Sequence, residues 1–500
     1  MSNILPQLRA ARRAGTPLVG IACSSPPDTI RTLREQTFRE YPVLGWDIQR
    51  GLFGCDEIAK SYLTQALDED MLPETRNPGF ALEVLRRVPP PDQTAILMDN
   101  GHRLLEDLTV VQGLLNLRDP FKRRQCTVVL VGRHFILPSE LVFQMATFEE
   151  DLPTDAELSK TILSIYSDAE VPEPTPEKHQ QEIEACRGLA LYAAEDGAAR
   201  CMTLEGIVVD ELWEFKRRIV RQTQGLEISR EGHTYADVGG IQQIKGFFRH
   251  LFANSEDAPA AVIHIDEIDK ALGGSHSADA HAVEKDTLGT LLKAMEDNEW
   301  TGIIAVGAAG CAKSLIAKAT GCEFGRPTIQ MDLGAMKGGI IGTTEANNRA
   351  AIQVIKGVAG KKAYFIATAN RLESLPPELQ RRFTDGIWFF DLPNDEEREQ
   401  IWRINLHKYE LDPHQERPRT ANYTGSDIRN ICRNAKRMRI PVTEAVQYIV
   451  PVEHQSKDAI TRLRELAENS RFLSASYPGH YQRNREEPST GSAGRKMQVS

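Results

Sequence analysis

No stretch of this 500-residue chain approaches the ~18 consecutive apolar residues that a membrane-spanning helix needs. The opening residues, Met1-Ser2-Asn3-Ile4-Leu5-Pro6-Gln7-Leu8-Arg9, lack the apolar core of a secretory signal, so a cytoplasmic protein is expected. The 8 cysteines stand singly, with no CxxC pair. That spacing indicates neither a zinc site nor a disulfide framework, and points to buried reduced thiols. A surplus of positive charge is missing as well: 70 Asp and Glu outnumber 60 Lys and Arg, for a formal net charge of -10. This balance argues against broad nucleic-acid binding, although a basic channel in an acidic protein is compatible with it. What remains is ordinary globular composition, 41% hydrophobic and 26% charged, at a length whose prior is about three domains of roughly 100–200 residues.

Against that background two motifs stand in an unusual order. Ala261-Val262-Ile263-His264-Ile265-Asp266-Glu267 is an apolar strand ending in two acids and reads as Walker B. It comes before Gly307-Ala308-Ala309-Gly310-Cys311-Ala312-Lys313-Ser314, which reads as Walker A. In such a loop backbone N–H groups cradle phosphates, so Lys313 would reach the β- and γ-phosphates, Ser314 and Asp266 would hold Mg2+, and Glu267 would orient water. ATP and Mg2+ are the cofactors so implied, with the loop from Gly307 to Leu315 as their cradle. Ala312 occupies the position before the lysine where these loops normally carry glycine. A left-handed backbone there would cost roughly 1–2 kcal/mol for a non-glycine residue. Cys311 reads as a small filler, or, if exposed at a helix N-terminus, as an oxidation-sensitive thiol of lowered pKa. His264, in a strand interior, reads as a satisfied core residue rather than a ligand.

A repeat runs through the chain. Lys362-Ala363-Tyr364-Phe365-Ile366-Ala367-Thr368-Ala369-Asn370 is a buried-strand pattern, followed by Leu375-Pro376-Pro377-Glu378-Leu379 and later by Asp391-Leu392-Pro393-Asn394-Asp395. The first half echoes it with Cys126-Thr127-Val128-Val129-Leu130-Val131-Gly132, then Leu137-Pro138-Ser139-Glu140-Leu141, then Asp151-Leu152-Pro153-Thr154-Asp155. Further up, Thr94-Ala95-Ile96-Leu97-Met98-Asp99-Asn100 looks like the acid-ended strand with its second acid turned to Asn. The echo stops short of the chemistry. Pro17-Leu18-Val19-Gly20-Ile21-Ala22-Cys23 leads into Ser24-Ser25-Pro26-Pro27-Asp28, with no glycine cradle and no lysine. Where the second half carries Arg381 and Arg382, the first carries Phe143 and Gln144.

Asp237-Val238-Gly239-Gly240, Ile265-Asp266-Glu267-Ile268-Asp269-Lys270, Ala367-Thr368-Ala369-Asn370 and Thr424-Gly425-Ser426-Asp427-Ile428 together resemble AAA ATPases. Among them the chain is similar to the AAA proteins encoded by cyanobacteria and algal chloroplast genomes, which pair a degenerate N-terminal AAA-like region with one active module. The resemblance covers most of residues 10–475, strongly from 233 to 435. It implies an α/β fold, a P-loop AAA+ parallel sheet with helical lid and transposed strand order, preceded by a degenerate AAA-like α/β domain. The sheet of that family runs fifth, first, fourth, third, second. Here the chain would visit those places third, first, second, fourth, fifth, and right-handed crossovers would leave every helix on its usual face. The expected divisions are 1–155 for the degenerate domain, 156–232 for its helical lid and linker, 233–395 for the ATPase domain, 396–450 for its lid, and 451–500 for a C-terminal helix and a disordered tail from Pro478.

By the same resemblance Asn370 is expected between the phosphate and the attacking water, and Arg381 or Arg382 as the finger supplied to a neighbouring subunit. Asp237, Val238, Gly239 and Gly240 would line the adenine pocket, with Gly425 and Ser426 of the lid beside them. A finger in trans implies a homo-oligomer, expected as a hexamer. The loop Leu333-Gly334-Ala335-Met336-Lys337-Gly338 lacks the aromatic residue that polypeptide-threading relatives place there. Met336 would have to grip a chain by soft apolar contact, or Lys337 meet acidic peptide or phosphate. Gly273 to His281 looks like a mobile loop. The reading that results is an Mg-ATP-dependent ATPase remodelling an unidentified protein partner through its N-terminal half. A slow nucleotide-gated scaffold is the alternative, and a nucleic-acid-associated motor ranks third.

Overall fold

The computed structural model describes residues 4–229, 232–253, 257–272, 278–336 and 343–483. The chain divides into two compact units, Met1–Val220 with Lys356–Val358 and Arg221–Ile355 with Ala359–Ser500.

The first unit is built on six strands: β1 (Leu18–Ala22), β2 (Val43–Asp47), β3 (Gly51–Gly54), β4 (Ala95–Met98), β5 (Thr127–Gly132) and β6 (Ala146–Glu149). Their spatial order is β3-β2-β4-β5-β1-β6. All pairs are parallel except the edge pair β2–β3. β1 and β4, and β5 after Thr127, carry no polar side chain because both faces are covered, the usual condition of a parallel sheet. Alternate side chains feed two cores. Leu18, Ile96, Val128 and Leu130 pack with Leu82, Leu114 and Phe121, whereas Val19, Ile21, Leu97, Val129 and Val131 pack with Ile4, Leu8, Leu33 and Phe38. Helices Asp155–Asp168, Pro176–Cys186, Leu191–Arg200 and Val209–Val220 follow, with a small hairpin of β7 (Met202–Thr203) and β8 (Gly206–Ile207). Thr154 and Glu157 form a capping box that starts the first of them.

The second unit carries seven strands: β9 (Leu226–Ser229), β10 (Ala261–Ile265), β11 (Thr301–Gly307), β12 (Thr328–Met331), β13 (Ala363–Ala369), β14 (Ile387–Phe390) and β15 (Leu473–Ser474). Their order is β15-β14-β11-β13-β10-β12-β9. From β14 to β12 this is fifth, first, fourth, third, second, visited by the chain in the transposed sequence the motifs implied. Only β9 runs antiparallel, against β12. The same six places recur in the first unit, antiparallel edge strand included, in the untransposed order. The repeat seen in sequence is therefore a repeat of sheets. Helices Asp395–Lys408 and Gly425–Met438 form a lid on a core of Trp402, Leu406, Ile428, Ile431 and Cys432. Capping boxes, Asn394 with Glu397 and Thr424 with Asp427, fix their starts.

Three segments differ from expectation. Leu226–Ser229 lies within 156–232, the expected helical lid and linker, yet Leu226 and Ile228 are buried and the segment pairs as an edge strand. Four residues of alternation are too few to show against polar neighbours. Of the expected loop Gly273–His281, residues 273–277 lie outside the described residues, and Ala278 opens the helix Ala278–Asp297. The tail does not come loose at Pro478: the Tyr481 ring is buried against Phe389, with centroids 4.5 Å apart, and its hydroxyl donates to Asp391 Oδ2 at 2.6 Å. Residues 484–500 lie outside the described residues.

Candidate functional site

The glycine-rich loop leaves β11 at Gly307 and ends on the helix Lys313–Glu323. Its path needs close backbone approaches. A Cβ on Gly307 would fall 2.1 Å from Phe390 O, and one on Gly310 would fall 2.7 Å from Thr424 Oγ1. Gly310 is left-handed at φ 85, and Ala312, the N-cap, is left-handed at φ 66. The strain anticipated for alanine at that position is thus present in the backbone.

Lys313 is buried, and its ammonium donates to Gly307 O and Ala308 O, each at 2.8 Å, and to Asn370 Oδ1 at 3.1 Å. Burial lowers its pKa, against the pull of nearby acids including Asp266, Asp269 and Glu267. The Ser314 hydroxyl donates to Asp266 Oδ1 at 2.7 Å, and the Thr368 hydroxyl donates to the same oxygen at 2.6 Å. Burial raises the pKa of Asp266, but the two hydroxyl bonds and nearby positive charge outweigh it, leaving the carboxyl below its ordinary value. Thr368 also accepts the Glu267 N–H at 3.0 Å. Glu267 has a left-handed backbone at φ 48. Its carboxylate is held by Lys270 Nζ at 2.7 Å and Asn370 Nδ2 at 3.2 Å. Asp269 receives the N–H groups of Asn370 and Arg371 at 3.2 and 3.1 Å, fixing the end of β13. Parallel pairing of β10 with β13 and of β13 with β11 brings these residues together.

A cavity of about 380 Å³ opens beside the loop. Asp237, Val238, Gly239, Gly310, Ala312, Lys313, Ser314, Leu315, Gly425 and Ser426 line it, so both the turn before the helix Gln242–Ala253 and the lid reach it. Ser426 N–H donates to Gly310 O at 3.3 Å, tying lid to loop. Lys245 stiffens the turn by donating to Tyr235 O and Val238 O, and burial lowers its pKa to about 8. Gly240 stands behind the wall: it is left-handed at φ 73 and its N–H donates to Gln400 Oε1 at 3.0 Å. Gly307, Ala308, Ala309 and Cys311 belong to the loop without lining the cavity.

Several side chains were not singled out by sequence. Ile401, Ile404, Asn405 and Lys408 present one face of the lid helix Asp395–Lys408 to the cavity, and Lys318, Arg429 and His233 complete it. Spacing at i, i+3, i+4 and i+7 is a signal, but it marks an ordinary core face equally well. Thr368 could have been read from its place at the end of β13.

Cys311 is the small filler expected: its thiol faces the core and burial pushes its pKa up to about 12, which removes the oxidation-sensitive alternative. Two readings need correction. His264 is buried as expected but not satisfied. Neither ring nitrogen has a hydrogen-bond partner, and Nε2 stands 3.7 Å from Asp266 Oδ1. Burial depresses its pKa to about 4, so the ring is neutral and the contact is no ion pair near pH 7. Met336 is fully buried, so the structure does not present it for gripping a chain, and Lys337 lies outside the described residues. The two arginines separate cleanly. Arg382 is paired with Glu296 at 2.6 Å, whereas Arg381 is exposed and has no partner among the described residues.

The oxygen donors of Ser314 and Asp266 suit a hard cation such as Mg2+. The glycine cradle, buried lysine and helix N-terminus suit a phosphate chain. Among the described residues no group of His, Cys, Asp and Glu forms another metal site, and no helix is long and apolar enough to cross a membrane.

Residues 4–149 match a family described as the SpoVK-like AAA ATPase N-terminal domain, and residues 218–309 match the ATPase family associated with various cellular activities. Among curated proteins the chain is 25% identical over 420 residues to an "Uncharacterized AAA domain-containing protein ycf46" of Guillardia theta, covering 75% of this chain and 73% of the relative. The protein of the same description from Pyropia yezoensis is 22% identical over 463 residues, 80% of this chain and 87% of the relative.

Proposed function

We propose, from the premise that the chain belongs to the AAA ATPases, that it binds and hydrolyses Mg-ATP at the one site formed by its second unit. The observation that carries this reading is the convergence of Lys313, Ser314, Asp266, Glu267 and Asn370 in one hydrogen-bonded cluster joined through Thr368. Lys313 neutralises the β- and γ-phosphates, and Ser314 with Asp266 holds the cation. Mg2+ bound there would neutralise charge developing on the phosphate oxygens. Glu267 orients the attacking water once it exchanges Lys270 and Asn370 for it, and Asn370 stands between that water and the phosphate. Asp237, Val238, Gly239, Gly425 and Ser426 flank the adenine, with Ile401 and Ile404 as apolar walls. In this reading the motifs are Walker A and Walker B in permuted order.

Arg381 acts in trans in a homo-oligomeric ring, expected as a hexamer, because it is the exposed, unpaired member of the arginine pair. Hydrolysis in the ring remodels a protein partner engaged by the first unit. A slow, nucleotide-gated scaffold is the second reading, and the left-handed Ala312 and the Lys270–Glu267 bond favour it. Turnover measured with Mg-ATP, alone and with captured partner, tests both. Glu267→Gln should bind ATP and scarcely hydrolyse it, and undiminished turnover in that variant would sink the hydrolytic assignment.

A further inference from the structure

A buried polar atom without a hydrogen bond is uncommon in folded proteins and asks for an explanation. His264 has two such atoms, in a residue 1% exposed. It stands two residues before Asp266, and so on the same face of the β10 line. Its Nε2 lies 3.7 Å from Asp266 Oδ1, beyond hydrogen-bond length but within reach of a small shift. The gap has a local cause. Oδ1 already receives the Ser314 and Thr368 hydroxyls at 2.7 and 2.6 Å, and a carboxylate oxygen offers about two lone-pair sites. The neutral imidazole is a third donor beside a filled acceptor.

We propose that His264 is a positioning residue for Asp266, making its Nε2–H bond to the carboxylate only when the cation is held. The inference rests on the reading of Ser314 and Asp266 as the cation pair. A cation held by Ser314 and Asp266 would draw the Ser314 hydroxyl away from Oδ1, and the place it leaves would go to the donor already packed beside it. A bond absent without the cation and present with it adds to cation affinity rather than to the stability of the empty site. Packing alone would have no such selectivity, since a ring that merely fills space supports both states equally.

The test is calorimetric binding of ATP to the full chain, with EDTA and with MgCl2, for wild type, His264→Gln and His264→Phe. Gln keeps an N–H donor near the position of Nε2; Phe keeps the ring and loses the donor. The three proteins should bind ATP alike in EDTA, and in MgCl2 the tightening should be about tenfold smaller for Phe than for wild type or Gln. If His264→Phe does not fold, His264→Leu is read the same way. A donor-less variant that keeps the full Mg2+ increment, or that weakens binding equally with and without Mg2+, overturns the role of His264 alone. A wild type that binds ATP with no Mg2+ increment overturns the cation reading and this inference together.

Discussion

In the first unit β1 runs into Ser24-Ser25-Pro26-Pro27, whereas at the same place in the second sheet β11 runs into a glycine- and alanine-rich loop closed by Lys313. Pro26 and Pro27 begin the helix Pro26–Thr32, and proline has no N–H to offer an anion. Two side-chain hydroxyls there are used internally. Ser25 Oγ donates to Asp28, and Thr29 Oγ1 donates to Glu150 Oε2 at 2.7 Å. At the end of the acid-ended strand, Asn100 and Glu267 share a left-handed backbone, φ 53 and φ 48. Asn tolerates that conformation better than most residues, so the first unit carries the comfortable residue and the second carries the strained carboxylate. Sheet order is common to both units; what differs is the side chain at each strand end. Strands can therefore be visited in another order while their ends keep the same places, whereas in the first unit two prolines stand where the second has its glycine loop.

The largest expected effect separates the two units at the segment after the Leu-Pro motif. Arg381→Ala should lower turnover about a thousandfold with ATP affinity little changed, as loss of a cation in trans does. Arg382→Ala should lower it less than tenfold, since Arg382 is already paired with Glu296. Phe143, 93% exposed at the matching place of the first unit, should tolerate Ala without loss of turnover. Mixing Arg381→Ala with Lys313→Ala should restore part of the activity, because intact sites form between the two defective proteins. Steady-state phosphate release is the measurement. Full activity in a strictly monomeric Arg381→Ala protein would erase the distinction.

Next in size is the acid pair. Glu267→Gln should reduce turnover about a hundredfold or more, while Asn100→Glu in the first unit should create none on a Lys313→Ala background, because the segment after β1 supplies no glycine cradle and no lysine. Ala312→Gly is expected to tighten ATP binding about tenfold, as removing roughly 1–2 kcal/mol of left-handed strain allows. Unchanged affinity would show that the transposed connections have reshaped the loop to suit alanine.

The smallest effect is one of pH, and it falls on the first unit. Burial, with nearby His134 and arginines, depresses His102 from 6.5 to about 4. The unfolded chain takes up a proton that the folded ring refuses, so stability should fall as the pH drops from about 6.5 towards 4. Urea midpoints across that range should lose this slope in His102→Gln. A midpoint that rises on acidification would reverse the sign and contradict a neutral, half-buried ring at His102.

Much of this was legible because the chemistry is concentrated in short motifs. Apolar strands buried on both faces, the acid pair and the glycine loop each leave a dense local pattern, and their order, set against the strand order of the family they resemble, implied the transposed sheet. The rest depends on what folds against what. Ile401, Ile404 and Asn405 have the spacing of any amphipathic helix, and only the lid's docking gives that face to the cavity. The choice between Arg381 and Arg382 rests on Glu296, 86 positions away. His264 looked satisfied because a strand interior says nothing about which acceptors are already full. β9 and the buried Tyr481 were missed because each is a short segment whose only support is tertiary.

The central claim is that one unit of this chain binds nucleotide and its structural counterpart does not. Equilibrium titration with Mg-ATP should count one site per chain in the wild type and none in Lys313→Ala; a second site in the wild type, or a site that survives the loss of Lys313, would contradict it.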